Sequence, residues 1–388
     1  MATKSTLQDL KIGIAMDALP KTFQDAIMIT RKLRIRYLWI DCLCIIQDDP
    51  LDWEREASTM GQVYRQSYLT ISAAGSTDSH AGCFPSHQSC AHASPWAKSL
   101  GYDTSTDTIS ETLTLTSPCW LGRQNFLHLS EEWLPGSSYH MPQHMSIRAL
   151  GKPLDPLADQ PLSKRGWTLQ ERLLSRRIIH YAQDQMYFEC ESGLTAEDRS
   201  WSSDPHFSMN RLLETQRLQF ADHGRRGIEG NSIIAGHNPA PIHGVRWNGG
   251  WLSLVEDYSR RALTKPEDKL PAISGMARII AEETEDQYFA GLWAKHIYED
   301  LYWRVTSDRE HKESGGAQCE TFKDPGATSR PNFYRAPSWS WASIDAPIRF
   351  IPLNHNDLVA QVLNCSTTLT GSDRFGRVSA GFLALQVT

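Results

Sequence analysis

The chain has no stretch approaching the roughly 18 uncharged apolar residues that a membrane-crossing helix needs, so a transmembrane span is excluded. Its opening, MATKSTLQDLKIG, has no apolar core of the kind a secretory leader carries. None of the eight cysteines forms a CxxC pair, and in a chain without a leader they read as reduced, buried thiols of a cytoplasmic protein. Positive charge is in short supply: 39 Lys and Arg stand against 45 Asp and Glu, a net of −6 at pH 7. That balance argues against a nucleic-acid partner held by bulk charge. No G-x-G-x-x-G follows a strand pattern, and Walker loop, GxSxG elbow and HExxH are all missing. Rossmann-type cofactor binding, P-loop hydrolysis, α/β-hydrolase chemistry and zincin chemistry therefore lack support, and no tightly bound cofactor is expected. His80, Cys83, His87, Cys90 and His92 are zinc-ligand types, but their C-x3-H-x2-C-x-H spacing fits no common finger, so no metal is assigned. No repeat with a period of 20–50 residues is present, which disfavours solenoids and propellers.

What is present is enough apolar material for a large core: 40% of 388 residues. Residues 20–34 predict a helix, with Thr22 as N-cap, Asp25 three residues on, and Phe23, Ala26, Ile27, Thr30 and Leu33 on one face. RYLWIDCLCII (36–46) is a nearly continuous apolar run and predicts a strand buried on both faces, with Cys42 and Cys44 on the same side. A turn, QDDPLD, leads to a helix at 53–65 whose apolar stripe is Trp53, Ala57, Met60 and Tyr64. SYLTISAAGS (67–76) predicts the next strand, so 36–73 has the length of a βαβ crossover. Further strands are expected at 105–117 and 145–150. A short helix is expected at 163–175, opened by Thr168 with Glu171, then a hairpin at 176–190 around Ala182–Asp184. Residues 193–250 are polar, with one helix near 208–220; helices follow at 251–263, 268–284 and 287–304, and strands after 333. One of those strands would carry Trp339 and Trp341 on one face, against the 287–304 helix.

The expected organisation is an α/β domain at 1–192, a loop-rich excursion at 193–250, and a helical then β region at 251–388 packed on the domain. The fold class is an open, mostly parallel sheet flanked by helices, elaborated by a β-hairpin, plus a mixed α+β C-terminal region.

In open α/β sheets ligands bind beyond the carboxyl ends of the strands. Asp41, Gln47, Asp48 and the first turn of the 53–65 helix, with Trp53 and Glu56, fall near one such end. Asp41 is an acid inside an apolar run, which is costly unless it is used or paired, by Arg36, Arg165 or a cluster of backbone N–H groups at a helix start. Trp39 either packs or stacks a base. Arg165, Gln170, Glu171 and Arg172 surround Trp167 and form either a phosphate-binding set or a structural network. Glu56 alone reads as a solvated or salt-bridged helix residue.

Three long segments carry a resemblance. LPKTFQDAI through GCF (19–84), RGWTLQERLLSRRIIHY through MYFEC (165–190) and RAPSWSWAS (335–343) closely resemble the fungal heterokaryon incompatibility (HET) domain family. The match covers 19–190 as the domain. KPEDKLPAISGMA and YFAGLWAKHIYEDLYW look like the C-terminal region of such proteins. One departure is that residues 1–18 lack the S-[YH]-x-W-G strand with which HET domains usually open, so the domain is expected to be N-terminally truncated. The resemblance implies a trigger of regulated cell death after nonself recognition, and a TIR-like, flavodoxin-like fold. It also implies possible cleavage of the nicotinamide–ribose bond of NAD, which would be substrate rather than resident cofactor. The TIR pattern of Trp, two residues, then Glu falls on Trp53 and Glu56, making Glu56 the implied catalytic carboxylate. Trp39, Asp41, Gln47, Asp48, Trp53, Arg165, Gln170 and Glu171 are then the nucleotide-binding candidates. Implied partners are further copies of the chain and other incompatibility or signalling proteins, with neither nucleic acid nor membrane. The alternative is a non-catalytic assembly module or an inactive truncated member.

Overall fold

The computed structural model describes residues 1–84, 155–197, 202–203, 209, 212–213, 250–306, 330–351 and 360–387. The strands expected at 105–117 and 145–150, the residues His87, Cys90 and His92, and most of the 208–220 helix lie outside the described residues.

Residues 1–66 hold the first helices. They are α1 (Leu7–Ile12), α2 (Lys21–Lys32), a single turn α3 (Asp41–Cys44) and α4 (Pro50–Gln66). Asp49 caps α4 by accepting from the Leu51 and Asp52 amides, and Pro50 sits in the first turn, where a missing N–H costs nothing. Helix α2 starts differently from expectation. Pro20 holds the cap position, and the Thr22 hydroxyl instead accepts from the Gly82 amide at 3.1 Å. Its buried face is Asp25, Ala26, Ile29 and Thr30, whereas Leu33 is exposed. Asp25 can be buried because it accepts from the Cys83 amide and pairs with Lys21.

The apolar run at 36–46 is not a strand. Residues 35–40 lie outside any ladder, and Asp41–Cys44 close into α3, with Cys44 and Asp41 exposed. A strand needs a neighbour for its backbone groups. Here the Cys42 carbonyl and the Gln47 amide bond to Ala2, and the turn's own amides bond back to Ile40 and Asp41.

The main sheet has five strands in sequence order: β1 (Thr70–Ser72), β2 (Arg177–Tyr181), β3 (Met186–Cys190), β4 (Gly193–Ala196) and β5 (Ser202–Ser203). Among the described residues β1 and β2 run parallel, with Thr70 opposite Ile178, and the other three pairings of this sheet are antiparallel. Of the mostly parallel sheet expected, the described residues show one parallel pair. The β2–β3 hairpin forms as its turn signal predicts, and it continues into β4 and β5 within the region read as an excursion. Between β1 and β2 lies α5 (Trp167–Leu174). Gly166 is its N-cap; the Thr168 hydroxyl donates to the Leu162 and Arg165 carbonyls instead of capping with Glu171.

Downstream come α6 (Trp251–Ser259) and α7 (Ser274–Thr284). The single helix expected at 287–304 is broken. Glu285, Ala290 and Gly291 have positive φ, so the chain makes a small hairpin, β6 (Tyr288–Phe289) and β7 (Leu292–Trp293), before α8 (Ile297–Leu301). Gly291 is required there: a Cβ would lie 2.6 Å from Trp341 Nε1. The indoles of Trp251 and Trp341 both donate to the Gly291 carbonyl. Trp341 opens a short 3-10 turn rather than a strand face. Strands β8 (Trp303–Val305) and β9 (Ile348–Phe350) pair, as do the ten-residue β10 (Ala360–Leu369) and β11 (Val378–Val387).

One core spans both halves. Leu169, Leu173 and Leu174 of α5 are buried with Leu254, Ile273, Met276, Ile280, Trp293 and Trp341. Helix α4 crosses α7 at two glycines: a Cβ on Gly61 would meet the Gly275 Cα at 3.0 Å. Gln170 is wedged beside them, its Oε1 accepting from the Gly275 amide at 2.7 Å.

Candidate functional site

The seam between the C-terminal end of α4 and the half-buried face of α5 gathers titratable groups. Tyr64, in the last turns of α4, donates its hydroxyl to Glu171 of α5. The Trp39 ring stands edge-on to Tyr64, with centroids 5.8 Å apart. Burial first, and then the charge of Asp41, push the Glu171 carboxyl up to about 7; Arg165 and the Tyr64 hydroxyl oppose that rise. Burial and the neighbouring carboxylates hold the Tyr64 phenol well above its ordinary range. Asp41 itself accepts from the Cys42 amide at 2.7 Å.

Local structure explains how these groups meet. Arg165 lies on a bridge to Ala262, and the Gly166 amide donates to the Ala262 carbonyl at 2.7 Å. A Cβ on Gly166 would sit 2.5 Å from Leu263 Cδ2, so the glycine permits this close approach. The C-terminal half thus fixes the start of α5 and with it Glu171. Chemically, the site offers a carboxyl titrating near neutrality beside a second carboxylate, a guanidinium and an aromatic ring. Such a group can exchange a proton at pH 7.

Of the sequence candidates, the structure brings together Trp39, Asp41, Arg165 and Glu171. Others lie elsewhere. Glu56 is ion-paired to Arg55 at 3.3 Å, and that arginine also holds Asp52. At eight residues from Tyr64 on one helix, Glu56 is about 12 Å away along the axis. Trp53 is packed edge-on against Trp167, with the Arg377 guanidinium 4.6 Å from its ring centroid. Gln170 faces inward to Gly275. Gln47 and Asp48 tie down the N-terminus: the Gln47 amide donates to the Ala2 carbonyl, and Asp48 accepts from the Lys4 amide at 2.8 Å. Sequence reasoning placed Tyr64 in the apolar stripe. Its hydroxyl, at the end of that stripe, is the signal that could have marked it.

A second buried polar network sits behind α5. Arg172 bonds both Asp155 (2.8 Å) and Glu189 (2.7 Å), and His180 Nε2 lies 2.8 Å from Glu189. Arg172 and His180 bring Glu189 down to about 2 against its burial; burial lowers His180. All four side chains are nearly sealed, so the network knits α5 to β2 and β3.

The architecture defines a helix-flanked α/β sheet protein with an acidic site at a helix seam. Among the described residues no helix is long and apolar enough to cross a membrane. The family profile for heterokaryon incompatibility protein (HET) matches residues 2–171, a span holding Trp39, Asp41, Tyr64, Arg165 and Glu171. Residues 2–171 therefore carry a HET domain. No curated protein and no solved structure matches it.

Proposed function

We propose that this HET-domain protein acts in fungal nonself recognition and regulated cell death, and that the Glu171 site serves that role by hydrolysing NAD. The family match supports the first part. The observation that carries the second is Glu171, a carboxyl titrating near 7 beside Asp41. In the reaction, the bond between ribose C1′ and the nicotinamide nitrogen breaks, and its electron pair leaves with the ring. The negative charge of Asp41 stabilises the oxocarbenium-like ribose. Water adds to C1′ and gives its proton to deprotonated Glu171, which returns it to solvent. Arg165 binds the pyrophosphate and Trp39 stacks a base.

The test is nicotinamide release by the purified full chain, with Glu171→Gln, Asp41→Asn and Glu56→Ala beside it. Glu171→Gln should lower kcat/KM by about 10²–10⁴-fold. The native rate should rise with pH through about 7, as a base requires. Asp41→Asn should move that rise to lower pH, because the like charge that lifts Glu171 is gone. Turnover untouched by Glu171→Gln, or lost with Glu56→Ala alone, would refute the assignment, as would no turnover by folded, concentrated protein.

A second reading, assembly with another copy of the chain, is favoured by one observation. Among the described residues the three most exposed large apolar side chains, Ile12, Tyr37 and Leu51, all belong to the N-terminal segment. Among the described residues β1 is laddered on one side only. Light scattering over a concentration series tests it; a monomer throughout, unchanged by Tyr37→Glu, would exclude it.

A further inference from the structure

The C-terminal hairpin packs one face on the core and leaves a long strand edge in solvent. Strands β10 and β11 are ten residues each, and among the described residues no third strand joins them. The hairpin is held firmly. Glu54 of α4 accepts from the Ser372 amide in its turn at 2.7 Å, and Arg278 of α7 pairs with Asp373 at 2.8 Å. On the β10 side the Val362 amide donates to the Tyr298 hydroxyl at 3.1 Å, so that edge is partly occupied. The β11 edge is the open one. In an edge strand every second residue turns its N–H and C=O outward, ready to pair.

Two observations say what pairs there. The first is an absence of charge. AQVLNCSTTL and VSAGFLALQV hold no Lys, Arg, His, Asp, Glu or Pro. Charges and prolines are what ordinarily keep a solvent-facing edge from pairing. In their place Phe382, Leu385 and Val387 of β11 are 56%, 49% and 76% exposed. An edge that meets its own copy about a twofold axis sets residues near the axis against their own kind, and like charges placed opposite repel. A strand without charge is what self-pairing requires.

The second is a recess that such a copy would fill. Gly381 faces the body of the protein: a Cβ there would collide with the Pro337 ring and lie 3.1 Å from the Trp339 ring. Beside it opens a cavity of about 390 Å³ whose walls include Phe333 and Tyr334, both accessible at 42% and 51% exposure. Among the described residues Gly381 of β11 lines this cavity and no residue of β10 does, so it opens on the β11 side. Opposite residues in a ladder share a face. With the faces of the two copies matched, the longest antiparallel overlap of β11 with itself puts the axis at Phe382 or at Leu383. The residue opposite Gly381 is then the copy's Leu383 or Leu385. In either case a leucine arrives beside the cavity, where glycine has no side chain to block it.

We propose that β11 is an interaction edge for a second copy of this chain. The two hairpins join antiparallel into one four-stranded sheet, and a leucine of each copy seats against Phe333 and Tyr334 of the other. This surface is separate from the N-terminal apolar residues and from the Glu171 seam. A strand edge buries less than the roughly 1,600 Å² of a standard interface, so the dimer is weak, half-assembled at about 10–100 µM.

Sedimentation velocity of the full chain from about 1 to 200 µM tests the proposal. The native protein should pass from monomer to dimer over that range. Raising salt from about 0.05 to 0.5 M should not weaken it, since no charge pair is involved. Phe382→Lys and Phe382→Glu, at an exposed position beside the axis, should each weaken association about tenfold, while melting temperature and circular dichroism hold. Mixing the two variants should restore the dimer, because opposite charges then face each other. Tyr334→Ala should weaken it about fivefold. Tyr37→Glu and Glu171→Gln should leave it unchanged. A monomer at about 200 µM would overturn the proposal and leave the edge to a different chain. A dimer indifferent to Phe382→Lys, or lost with Tyr37→Glu alone, would overturn it too. Failure of the mixed variants to associate would overturn the twofold pairing, and indifference to Tyr334→Ala the seat of the leucine.

Discussion

Replacing Glu171 with glutamine should make the protein more stable, and only above a definite pH. In the unfolded chain the carboxyl titrates near 4.5; in the fold it titrates near 7, because burial and Asp41 disfavour its charge. A group raised in this way contributes stability that is fully present below pH 4.5. That contribution is lost as pH climbs from 4.5 through 7, and the loss is complete above 7. The interval of two to three pKa units corresponds to a ceiling of about 3 kcal/mol. The side chain is not fully sealed, and Arg165 and Tyr64 offset part of the cost, so about 1–2 kcal/mol is the expected net. Glutamine keeps the oxygen that accepts from Tyr64 and never ionises. Urea denaturation of both proteins at pH 4 and pH 8.5 measures the effect. The variant should match the native protein at the lower pH and exceed it at the higher by that margin, an upward melting shift of a few degrees. A gap of the same size at both pH values, or a variant that is weaker at pH 8.5, would refute the reasoning.

Arg172→Met leaves Asp155 and Glu189 buried without their cation, and should cost about 3–5 kcal/mol in denaturant unfolding. In the acid range, the folded Glu189 carboxyl is depressed to about 2, so its contribution is present above pH 4.5 and vanishes as pH falls from 4.5 through 2. The stability gap between native protein and Glu189→Gln should therefore narrow steadily in acid titrations over that window. Gly275→Ala would put a methyl 2.7 Å from Gln170 Oε1 and 3.1 Å from the Gly61 Cα; a loss of about 1–3 kcal/mol in thermal melts is expected, as for other overpacked sites.

The elements with strong local signals were legible. Helix α4 carries its own cap and proline, and the β2–β3 hairpin carries its own turn, so neighbouring residues decide both. The 36–46 run was misread because an apolar stretch states that it wants burial, not that a ladder partner exists; its backbone went to Ala2 and to a tight turn instead. Thr22 and Thr168 looked like caps, but their hydroxyls serve Gly82, Leu162 and Arg165. Those bonds depend on how distant segments pack. The 287–304 helix failed at Ala290 and Gly291, whose left-handed backbone is imposed by Trp341, fifty residues on. In the site, Asp41 stood out as an acid among apolar neighbours and Glu171 as part of a polar set. Their meeting was not legible, since it depends on α4 delivering Tyr64 between them.

The family profile stops at residue 171, midway along a helix that runs from Trp167 to Leu174. That boundary cuts through the hydrophobic interior shared by the two halves. Severed at the end of that helix, the N-terminal piece would turn Leu169, Leu173 and Leu174 toward water. At about 1.5–3 kcal/mol for each, the exposure rivals the whole stability of an ordinary protein. What evolution copies as a recognisable segment is thus not what collapses as a unit. A gene rearrangement that transplants the segment must import a replacement wall for those leucines. Sequence drift in the second half is constrained by the first even where the two share no recognisable motif.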